Sequence, residues 1–274
     1  MLEHKQIGFI GGGAMAEALI KGMLKAGLVQ PNQITVSDVV ADRLSYLTNT
    51  YDISPCADAQ QTAGKVDILF LTVKPQVINN VLDTIAPAVS KSTIVISIAA
   101  GVTIATLQNK LPAGIAIVRV MPNTPVAVGA GMSAISLGKY ANPQTGELAA
   151  AIFASVGRVV TVEESVMDAV TGLSGSGPAY AFVLIDALTD AGVRVGFSRQ
   201  NALLLAAQTL YGAAKMVLDT GEHPAKLRDM VTSPGGTAIA GVHMLEQKGV
   251  RAALIDAVVA ATNRSREMGK RQHE

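Results

Sequence analysis

Glycines near the start of the chain form a pattern that suits a bound pyrophosphate. A short apolar run, Ile7 to Ile10, is followed by Gly11-x-Gly13-x-x-Ala16 and by an amphipathic run from Met15 to Lys25. A strand, a tight turn and a helix form the context in which Gly11 permits the turn and Gly13 lets backbone approach phosphate oxygens. Ala16 is small enough for the helix to pack closely on the strand. The pattern predicts a dinucleotide site.

An acidic residue follows the next apolar run at a spacing that suits a ribose. The run Ile34 to Ser37 reads as a second strand, and Asp38 stands about 20 positions after Ala16, where an acid meets the adenosine ribose. A carboxylate there favours NAD and repels a 2′-phosphate, with Arg43 available to offset it. The alternative is that Asp38 only caps the helix beginning at Ala41. Use of both NAD and NADP is the favoured prediction.

Three further strand ends carry small, rigid or hydrogen-bonding residues. They are Val73-Lys74-Pro75, Ala99-Ala100-Gly101 and Met121-Pro122-Asn123-Thr124-Pro125. In an open parallel sheet, ligands bind at the carboxyl ends of strands. Small residues there allow close approach of a flat ring, and Lys74 places a cation near phosphate or substrate. The alternative for Lys74 is a solvated loop lysine.

Two loops in the second half of the chain are predicted anion sites. Gly172 to Pro178 and Thr232 to Thr237 each precede a helical run, so free helix N-terminal amides are available to a carboxylate. Ordinary capping by Ser176 or Thr237 is the alternative, and capping and ligand binding are compatible.

Alternating strand and helix patterns over residues 1–162 predict a doubly wound, Rossmann-type parallel sheet with right-handed crossovers. No strand pattern occurs in residues 163–274, which are predicted to form an all-α domain for dimerisation and substrate binding. Its first long run, Ala179 to Leu188, is apolar on nearly every face. Such a helix must be buried all round, either against a partner subunit or at the centre of the domain.

The overall composition excludes several classes of function. A net charge of +1 and 4% aromatic residues argue against nucleic acid as a partner. The longest apolar stretch, Ala179 to Ile185, is too short to span a membrane. Cys56 is the only cysteine, and it lacks a nearby histidine for nucleophilic chemistry. The four histidines, including His273, are scattered, so no metal is expected. No signal-peptide pattern is present, which predicts a cytoplasmic protein.

One missing side chain narrows the reaction type. β-Hydroxyacid dehydrogenases carry G-x-x-G-x-G-x-x-x-K-x-x-x-N at the start of the interdomain helix, with the lysine as acid and base toward the alcohol. Gly172, Gly175 and Gly177 are in register with that pattern, but Ala181 and Ile185 occupy the Lys and Asn positions. Hydride addition to an already protonated imine fits this absence, because an iminium is electrophilic without further polarisation.

Six motifs together resemble the pyrroline-5-carboxylate reductase family over nearly the whole chain, and the last two are specific. They are Gly11-Gly12-Gly13-Ala14-Met15-Ala16, Val73-Lys74-Pro75, Ser97-Ile98-Ala99-Ala100-Gly101-Val102, Arg119-Val120-Met121-Pro122-Asn123-Thr124-Pro125, Gly172-Leu173-Ser174-Gly175-Ser176-Gly177-Pro178-Ala179-Tyr180 and Val231-Thr232-Ser233-Pro234-Gly235-Gly236-Thr237. The resemblance implies reduction of the cyclic imine pyrroline-5-carboxylate to L-proline by NADPH or NADH, the last step of proline biosynthesis. It also implies an obligate homodimer with intertwined helical domains and active sites formed across it, often assembled as a decamer of five dimers.

The resemblance also assigns site residues, position by position. The phosphate loop falls on Ile10, Gly11, Gly12, Gly13, Ala14 and Met15, with Asp38 at the ribose. The nicotinamide wall falls on Val73, Lys74, Pro75, Ala99 and Ala100, and Thr72 and Ile98 are further cofactor-binding positions. The substrate carboxylate is held by amides of Gly235, Gly236, Thr237 and Ala238, and Ser176 and Glu164 line or support the site. Lys74, Thr237 and Ala238 are the expected catalytic positions.

Ala238 departs from the family pattern, in which a threonine hydroxyl hydrogen-bonds the substrate nitrogen. Loss of one such hydrogen bond costs roughly 1 to 3 kcal/mol, so we expect reduced activity unless Thr237 or water substitutes. Two alternatives stay open: a reductase of another small cyclic imine or keto compound, and a noncatalytic nucleotide-binding protein.

Overall fold

The computed structural model describes residues 2–271, which form two compact units. The first unit runs up to Ser176 and includes the residues from Ala260 onward, and the second unit is Gly177–Val259. The functional boundary between residues 162 and 163 stays a prediction.

The first unit is built on one eight-stranded sheet with the order β3-β2-β1-β4-β5-β6-β7-β8. The strands are β1 Ile7–Ile10, β2 Ile34–Ser37, β3 Ser54–Pro55, β4 Ile68–Leu71, β5 Ile94–Ser97, β6 Ala116–Met121, β7 Gly131–Leu137 and β8 Gly157–Thr161. Chain order reverses at β1, which pairs with β2 on one side and β4 on the other. This switch point lies where the glycine-rich turn begins.

The central strands are apolar along their whole length because helices cover both faces of the sheet. All four residues of β1 and of β4 are buried, as is usual for parallel strands inside an α/β domain. Phe9 stacks on Phe70 across the β1–β4 pair with ring centroids 4.6 Å apart, and Phe153 lies 6.3 Å from Phe70. This packing fixes the strand ends that carry the predicted site.

One strand differs from the predicted parallel arrangement. β7 runs antiparallel to β6, and β8 is parallel to β7. The connection from β6 to β7 holds only a short 3₁₀ turn, Thr124–Val128, rather than a crossover helix, so the chain returns alongside β6 in the opposite direction.

Twelve α-helices complete the described part of the chain. They are α1 Ala14–Lys25, α2 Ala41–Tyr51, α3 Ala59–Ala63, α4 Ile78–Ile85, α5 Ile104–Lys110, α6 Pro143–Ala154, α7 Met167–Val170, α8 Gly177–Arg194, α9 Arg199–Thr220, α10 Pro224–Met230, α11 Thr237–Gln247 and α12 Val250–Arg271. As predicted, residues 163–271 contain helices and turns and no strand. No helix in residues 2–271 is long and apolar enough to cross a membrane.

Helix α8 is not a buried core helix of the second unit. Phe182 is 62% exposed and Val183 is 68% exposed, and of the whole helix only Thr189 is buried. A single chain therefore does not cover the apolar faces that the sequence predicted to be buried. Of the two sequence-based alternatives, packing against a partner subunit fits this exposure and a central core helix does not.

Candidate active site

The glycine-rich turn joins β1 to α1 and leaves a helix N-terminus open. Gly11 has a φ of +100°, and its amide donates to the Ser37 carbonyl at 2.7 Å. A Cβ at Gly11 would lie 3.0 Å from the Thr72 carbonyl group, so a side chain does not fit. Gly13 is the N-cap of α1, and a Cβ there would meet nothing within 4 Å. Phosphate oxygens therefore have space in front of the first amides of α1.

Thr72 holds this turn from the neighbouring strand. Its hydroxyl lies 2.6 Å from the Gly11 carbonyl and 3.0 Å from the Ile10 carbonyl, and its amide donates to the Ile10 carbonyl at 2.9 Å. The single hydroxyl proton is best placed for Gly11. The contacts made by Thr72, one of the expected cofactor-binding residues, are thus to the phosphate turn.

Asp38 is also tied to the turn. One carboxylate oxygen accepts from the Gly12 amide at 2.6 Å, and the other accepts from the Val40 amide at 2.9 Å. Val40 is the N-cap residue of α2, so Asp38 contacts both the glycine-rich turn and the start of that helix. Each carboxylate oxygen keeps a lone pair for another donor. A ribose hydroxyl is a chemically suitable donor.

An ion pair beside the turn was missed by the sequence reasoning. The Arg43 guanidinium donates to the Gly12 carbonyl and pairs with the Glu17 carboxylate, which also accepts from the Tyr46 hydroxyl at 3.0 Å and the Tyr51 hydroxyl at 2.9 Å. The sequence offered Arg43 only as a charge that offsets Asp38. Nothing in the local pattern shows that α1 and α2 bring Glu17 to Arg43.

A cleft of about 560 Å³ opens at the carboxyl ends of β1, β2 and β4. Its lining is mostly apolar, with Val39, Val73, Val77 and Val81 among its walls. Two carboxylates, Asp38 and Asp58, also line it. An adenosine half of a dinucleotide suits this lining, because adenine needs apolar walls and ribose needs polar groups at one end.

The strand end after β4 presents Val73, Lys74 and Pro75 at the surface of the first unit. Lys74 is exposed, and it precedes the 3₁₀ turn Pro75–Val77, in which the fixed φ of proline suits the first position. Within the described residues, the Lys74 ammonium forms no ion pair. It is thus available to an anionic ligand.

Ile98, Ala99 and Ala100 follow β5, and the helix after them is held by Glu164. The Ile98 amide donates to the Leu71 carbonyl at 3.2 Å, and Ala99 is buried. The Glu164 carboxylate accepts from the Ile104 amide at 2.6 Å and from the buried Arg119 guanidinium at 3.0 Å. The contacts of Glu164 thus go to the start of α5 and to β6.

Asn123 connects two sequence motifs, the one that follows β6 and the one that precedes α8. Its amide nitrogen donates to the Ser174 carbonyl at 2.9 Å, and its oxygen accepts from the Met132 amide at 2.8 Å. Ser176 follows the π-helical turn Thr171–Gly175, and its amide donates to the Thr171 carbonyl at 2.8 Å. The strand end after β6 and the loop before α8 are therefore held together inside the first unit.

The second unit contains the other predicted anion site. Gly235 has a φ of +67°, and Gly236 is the N-cap of α11 without a side-chain capping bond. Thr237 is the first helical residue, so it does not cap the helix as the alternative required. Ala238 follows it. A cavity of about 490 Å³ lies beside Gly235, Gly236 and the α11 residues Ile239, Ala240 and His243. Backbone amides at this start suit a carboxylate.

In the described chain, no group of three or more His, Cys, Asp or Glu side chains has an arrangement that could hold a metal ion. His273 lies outside the described residues. Cys56 has a free thiol. The candidate site is therefore built from backbone amides, hydroxyls and single charged side chains.

Two family models match the chain. Residues 164–268 match the model for pyrroline-5-carboxylate reductase dimerisation, and residues 6–101 match the model for NADP oxidoreductase, coenzyme F420-dependent. Among curated relatives, a pyrroline-5-carboxylate reductase of Methanosarcina acetivorans is 48% identical over 98% of this chain and 100% of its own length. The enzyme of that name from Escherichia coli K12 is 42% identical over 97% of this chain and 99% of its own.

Solved structures show the same similarity. A pyrroline-5-carboxylate reductase from Coxiella burnetii matches with a TM-score of 0.90 and 36% identity, covering 96% of this chain and 98% of its own. A Plasmodium falciparum pyrroline carboxylate reductase with NADP bound matches with a TM-score of 0.87 and 32% identity, covering 97% and 98%. A ketol-acid reductoisomerase at 14% identity and a TM-score of 0.63 shares the fold alone.

Proposed function

The chain belongs to the pyrroline-5-carboxylate reductase family, and from this membership we propose how its residues serve the reaction. The enzyme reduces the cyclic imine pyrroline-5-carboxylate to L-proline with NADPH or NADH. One structural observation supports the residue assignment most strongly. Each unit presents a glycine-led helix start, at α1 and at α11, where backbone amides suit a phosphate and a carboxylate respectively.

The first unit fits the nucleotide. The open space at Gly13 suits phosphate oxygens, Asp38 accepts from ribose hydroxyls, and the cleft beside Val39 encloses the adenosine. Val73, Lys74, Pro75, Ile98, Ala99 and Ala100 form the wall for the nicotinamide. When bound, the dihydronicotinamide supplies the hydride. The protein contributes a rigid turn, held by Thr72, and a buried small-residue loop against which a flat ring rests.

The second unit supplies the carboxylate site. Amides of Gly235, Gly236, Thr237 and Ala238 hold the substrate carboxylate at the start of α11, where the helix dipole favours negative charge. Ala238 has no hydroxyl to hydrogen-bond the substrate nitrogen, so the site lacks this contact. The family resemblance also places Ser176 and Glu164 among the substrate residues; both belong to the first unit, where Glu164 fixes the start of α5.

The reaction does not need a strong general acid. The substrate nitrogen carries its proton as the iminium, so the carbon of the C=N bond is already electrophilic. Hydride adds to that carbon, the electron pair of the π bond moves to nitrogen, and the product is the amine of L-proline. The protein therefore acts by orientation, by electrostatic matching of the carboxylate and by placing Lys74 near anionic groups.

Steady-state reduction of pyrroline-5-carboxylate with NADPH and with NADH tests the assignment. Turnover by the native chain is expected with both nucleotides. Ala238→Thr is expected to raise kcat/KM by about five- to a hundredfold, because it restores a hydrogen bond of roughly 1 to 3 kcal/mol. Ala240→Thr is the matched control, since it adds the same side chain two residues further along α11.

Three outcomes separate the possibilities. No turnover by the native chain but clear turnover by Ala238→Thr would mean that the site is correct and one contact is lost. Inactivity in both, with nucleotide still bound, would contradict the substrate assignment and leave another cyclic imine or a noncatalytic role. An equal gain in Ala240→Thr would contradict the specific role of position 238.

We also propose the finer features of assembly and location. Exposed apolar side chains on α8, α9 and α11, among them Phe182, Leu204 and Met244, support a homodimer through the second unit. A decamer of five dimers is the larger assembly that the family resemblance suggests, and light scattering measures it directly. The cytoplasm, with its pool of reduced nicotinamide nucleotides, is the proposed location, and cell fractionation tests it.

A further inference from the structure

The adenosine end of the nucleotide cleft is acidic. Its lining includes the carboxylates of Asp38 and Asp58, and no Lys or Arg among the described residues lines it. Lys74 follows Val73 at the end of β4 and is not among the residues that line the cleft. Arg43 lies beside the glycine-rich turn, and its guanidinium donates to the Gly12 carbonyl. A 2′-phosphate next to Asp38 thus depends on Arg43 for charge compensation.

Arg43 is already compensated by Glu17. The guanidinium pairs with the Glu17 carboxylate from α1 and lies 5.0 Å from the centre of the Tyr46 ring. The two side chains are 26% and 23% exposed, so solvent screens the pair only in part. With Glu17 in place, Asp38, Glu17 and Arg43 together carry one net negative charge.

Two tyrosines keep the pair in one geometry. The hydroxyls of Tyr46 and Tyr51 both donate to the second oxygen of Glu17. Burial acts to raise the pKa of Glu17, but the hydrogen bonds from Arg43, Tyr51 and Tyr46 outweigh it, and the pKa lies below its usual value. Burial and the bond to Glu17 raise the pKa of Tyr51 to about 12. At neutral pH Glu17 is therefore ionised and Tyr51 is a donor.

We propose that Glu17 is a positioning residue for nucleotide choice: it holds Arg43 against α1 and away from a 2′-phosphate, so that this enzyme binds NAD(H) more tightly than NADP(H). The proposal rests on the proposed function for the identity of the site. Asp38 acts on the ribose directly, whereas Glu17 acts only through Arg43. Both nucleotides remain substrates, and Glu17 changes their ratio.

The test is nucleotide binding by isothermal titration calorimetry at fixed ionic strength, which needs no turnover. The native chain is expected to bind NAD⁺ about tenfold more tightly than NADP⁺, a ratio that corresponds to about 1.4 kcal/mol. Glu17→Gln keeps the size of the side chain and its hydrogen-bonding oxygen but removes the charge. It is expected to increase the affinity for NADP⁺ and for 2′,5′-ADP about tenfold, and to change the affinity for NAD⁺ by less than about twofold.

Controls separate Arg43 from net charge. Asp42→Asn makes the same change of net charge on the first turn of α2, at an exposed position, and is expected to leave the ratio unchanged. The double variant Glu17→Gln/Arg43→Gln is expected to lose the gain for NADP⁺. If Glu17 had only a structural role, Glu17→Gln would change the affinities for both nucleotides equally and would leave the ratio of the two affinities unchanged.

Three results would each overturn the proposal. They are tighter binding of NADP⁺ than of NAD⁺ by the native chain, an affinity ratio that Glu17→Gln leaves unchanged, and an equal gain in NADP⁺ affinity in Asp42→Asn. The native ratio needs no variant, so the test does not depend on the folding of Glu17→Gln. If the native chain bound neither nucleotide, both this proposal and the proposed function would fail. If the chain reduced the substrate but bound NADP⁺ more tightly than NAD⁺, only this proposal would be overturned.

Discussion

At the scale of single residues, several polar side chains in the first unit hold loops rather than ligands. Thr72 fixes the Gly11 carbonyl, Asp38 fixes the Gly12 amide, and Glu164 fixes the amide at the start of α5. Each contact orders a backbone segment before a ligand arrives. Ordering in advance lowers the entropy that binding has to overcome.

Glu164 and Arg119 give the first prediction at this scale. Glu164→Ala leaves the Arg119 guanidinium, only 8% exposed, without its carboxylate, and we expect a loss of about 2 to 3 kcal/mol in the free energy of unfolding. Glu164→Gln keeps an acceptor for the Ile104 amide and is expected to lose about 1 kcal/mol. Urea denaturation measures both.

A double variant checks the cause. Arg119→Met/Glu164→Ala removes both charges and is expected to lose less than the sum of the two single losses, because no buried charge is left unpaired. Equal losses in Glu164→Ala and Glu164→Gln would contradict the role given to the amide contact.

Asp67 gives a prediction about acid stability. Its pKa lies below the usual value because the Gln6 amide donates to it at 2.8 Å, an effect that burial opposes and the Lys5 ammonium at 3.1 Å reinforces. The stability it contributes is present above the pKa of an unfolded Asp, about 3.9. It is lost as the pH falls through the lower folded value.

Asp67→Asn is therefore expected to lose about 1 kcal/mol at pH 7, where the native carboxylate is ionised and partly solvent-screened. The difference from the native chain should shrink as the pH falls below the unfolded value of about 3.9 and through the lower folded value. Urea titrations at pH 7, 5 and 3 measure it, with the exposed Asp42→Asn as control. A difference that stayed constant down to pH 3 would refute the linkage.

At the scale of elements, the β7–β8 edge depends on two facing glycines. Gly157 has a φ of +156°, and a Cβ on it would lie 2.0 Å from the carbonyl oxygen of Gly131 and 2.5 Å from its nitrogen. These are backbone atoms of the paired strand, so they cannot move aside without breaking the ladder. The close approach joins the last strand to the rest of the sheet.

Gly157→Ala is expected to lower the free energy of unfolding by about 3 kcal/mol or more, because the strand must separate locally. Gly114→Ala is the matched control, since Gly114 has a φ of +95° but nothing within 4 Å of a new Cβ. It should cost about 1 kcal/mol from backbone strain alone. Similar losses in the two variants, measured by thermal unfolding, would exclude the steric explanation.

At the scale of the whole molecule, the second unit exposes more apolar surface than a lone chain accommodates. Val183 on α8 and Leu204 on α9 are each 68% exposed, and Met230 is 70% exposed. Many exposed large apolar side chains in one unit are typical of a protein interface. The family model for pyrroline-5-carboxylate reductase dimerisation matches residues 164–268, which include these helices.

Val183→Glu is expected to shift the assembly toward monomers, because a carboxylate in an apolar interface must be desolvated without a partner. Multi-angle light scattering measures the mass at several protein concentrations. Asn109→Glu adds the same charge on the exposed side of α5 in the first unit and should leave the mass unchanged. An unchanged mass for Val183→Glu would place the dimer interface elsewhere.

The sequence by itself determined the elements and the chemistry of their ends. Fully apolar runs such as Ile68 to Leu71 mark buried strands, because a parallel strand is covered on both faces. The positive φ of Gly11 and the glycine cap of α11 follow from residues that lack a Cβ. These are local properties, set within a few residues.

Only the tertiary structure decided which distant groups meet. Four features depend on packing between segments far apart in the chain. They are the direction of β7, the pairing of Glu17 with Arg43, the contact of Glu164 with the start of α5 and the exposure of α8. A strand has the same composition whether it runs parallel or antiparallel, and a surface glutamate has the same neighbours in sequence whether or not an arginine faces it. Periodicity determines which face of an element is buried, and packing determines what that face contacts.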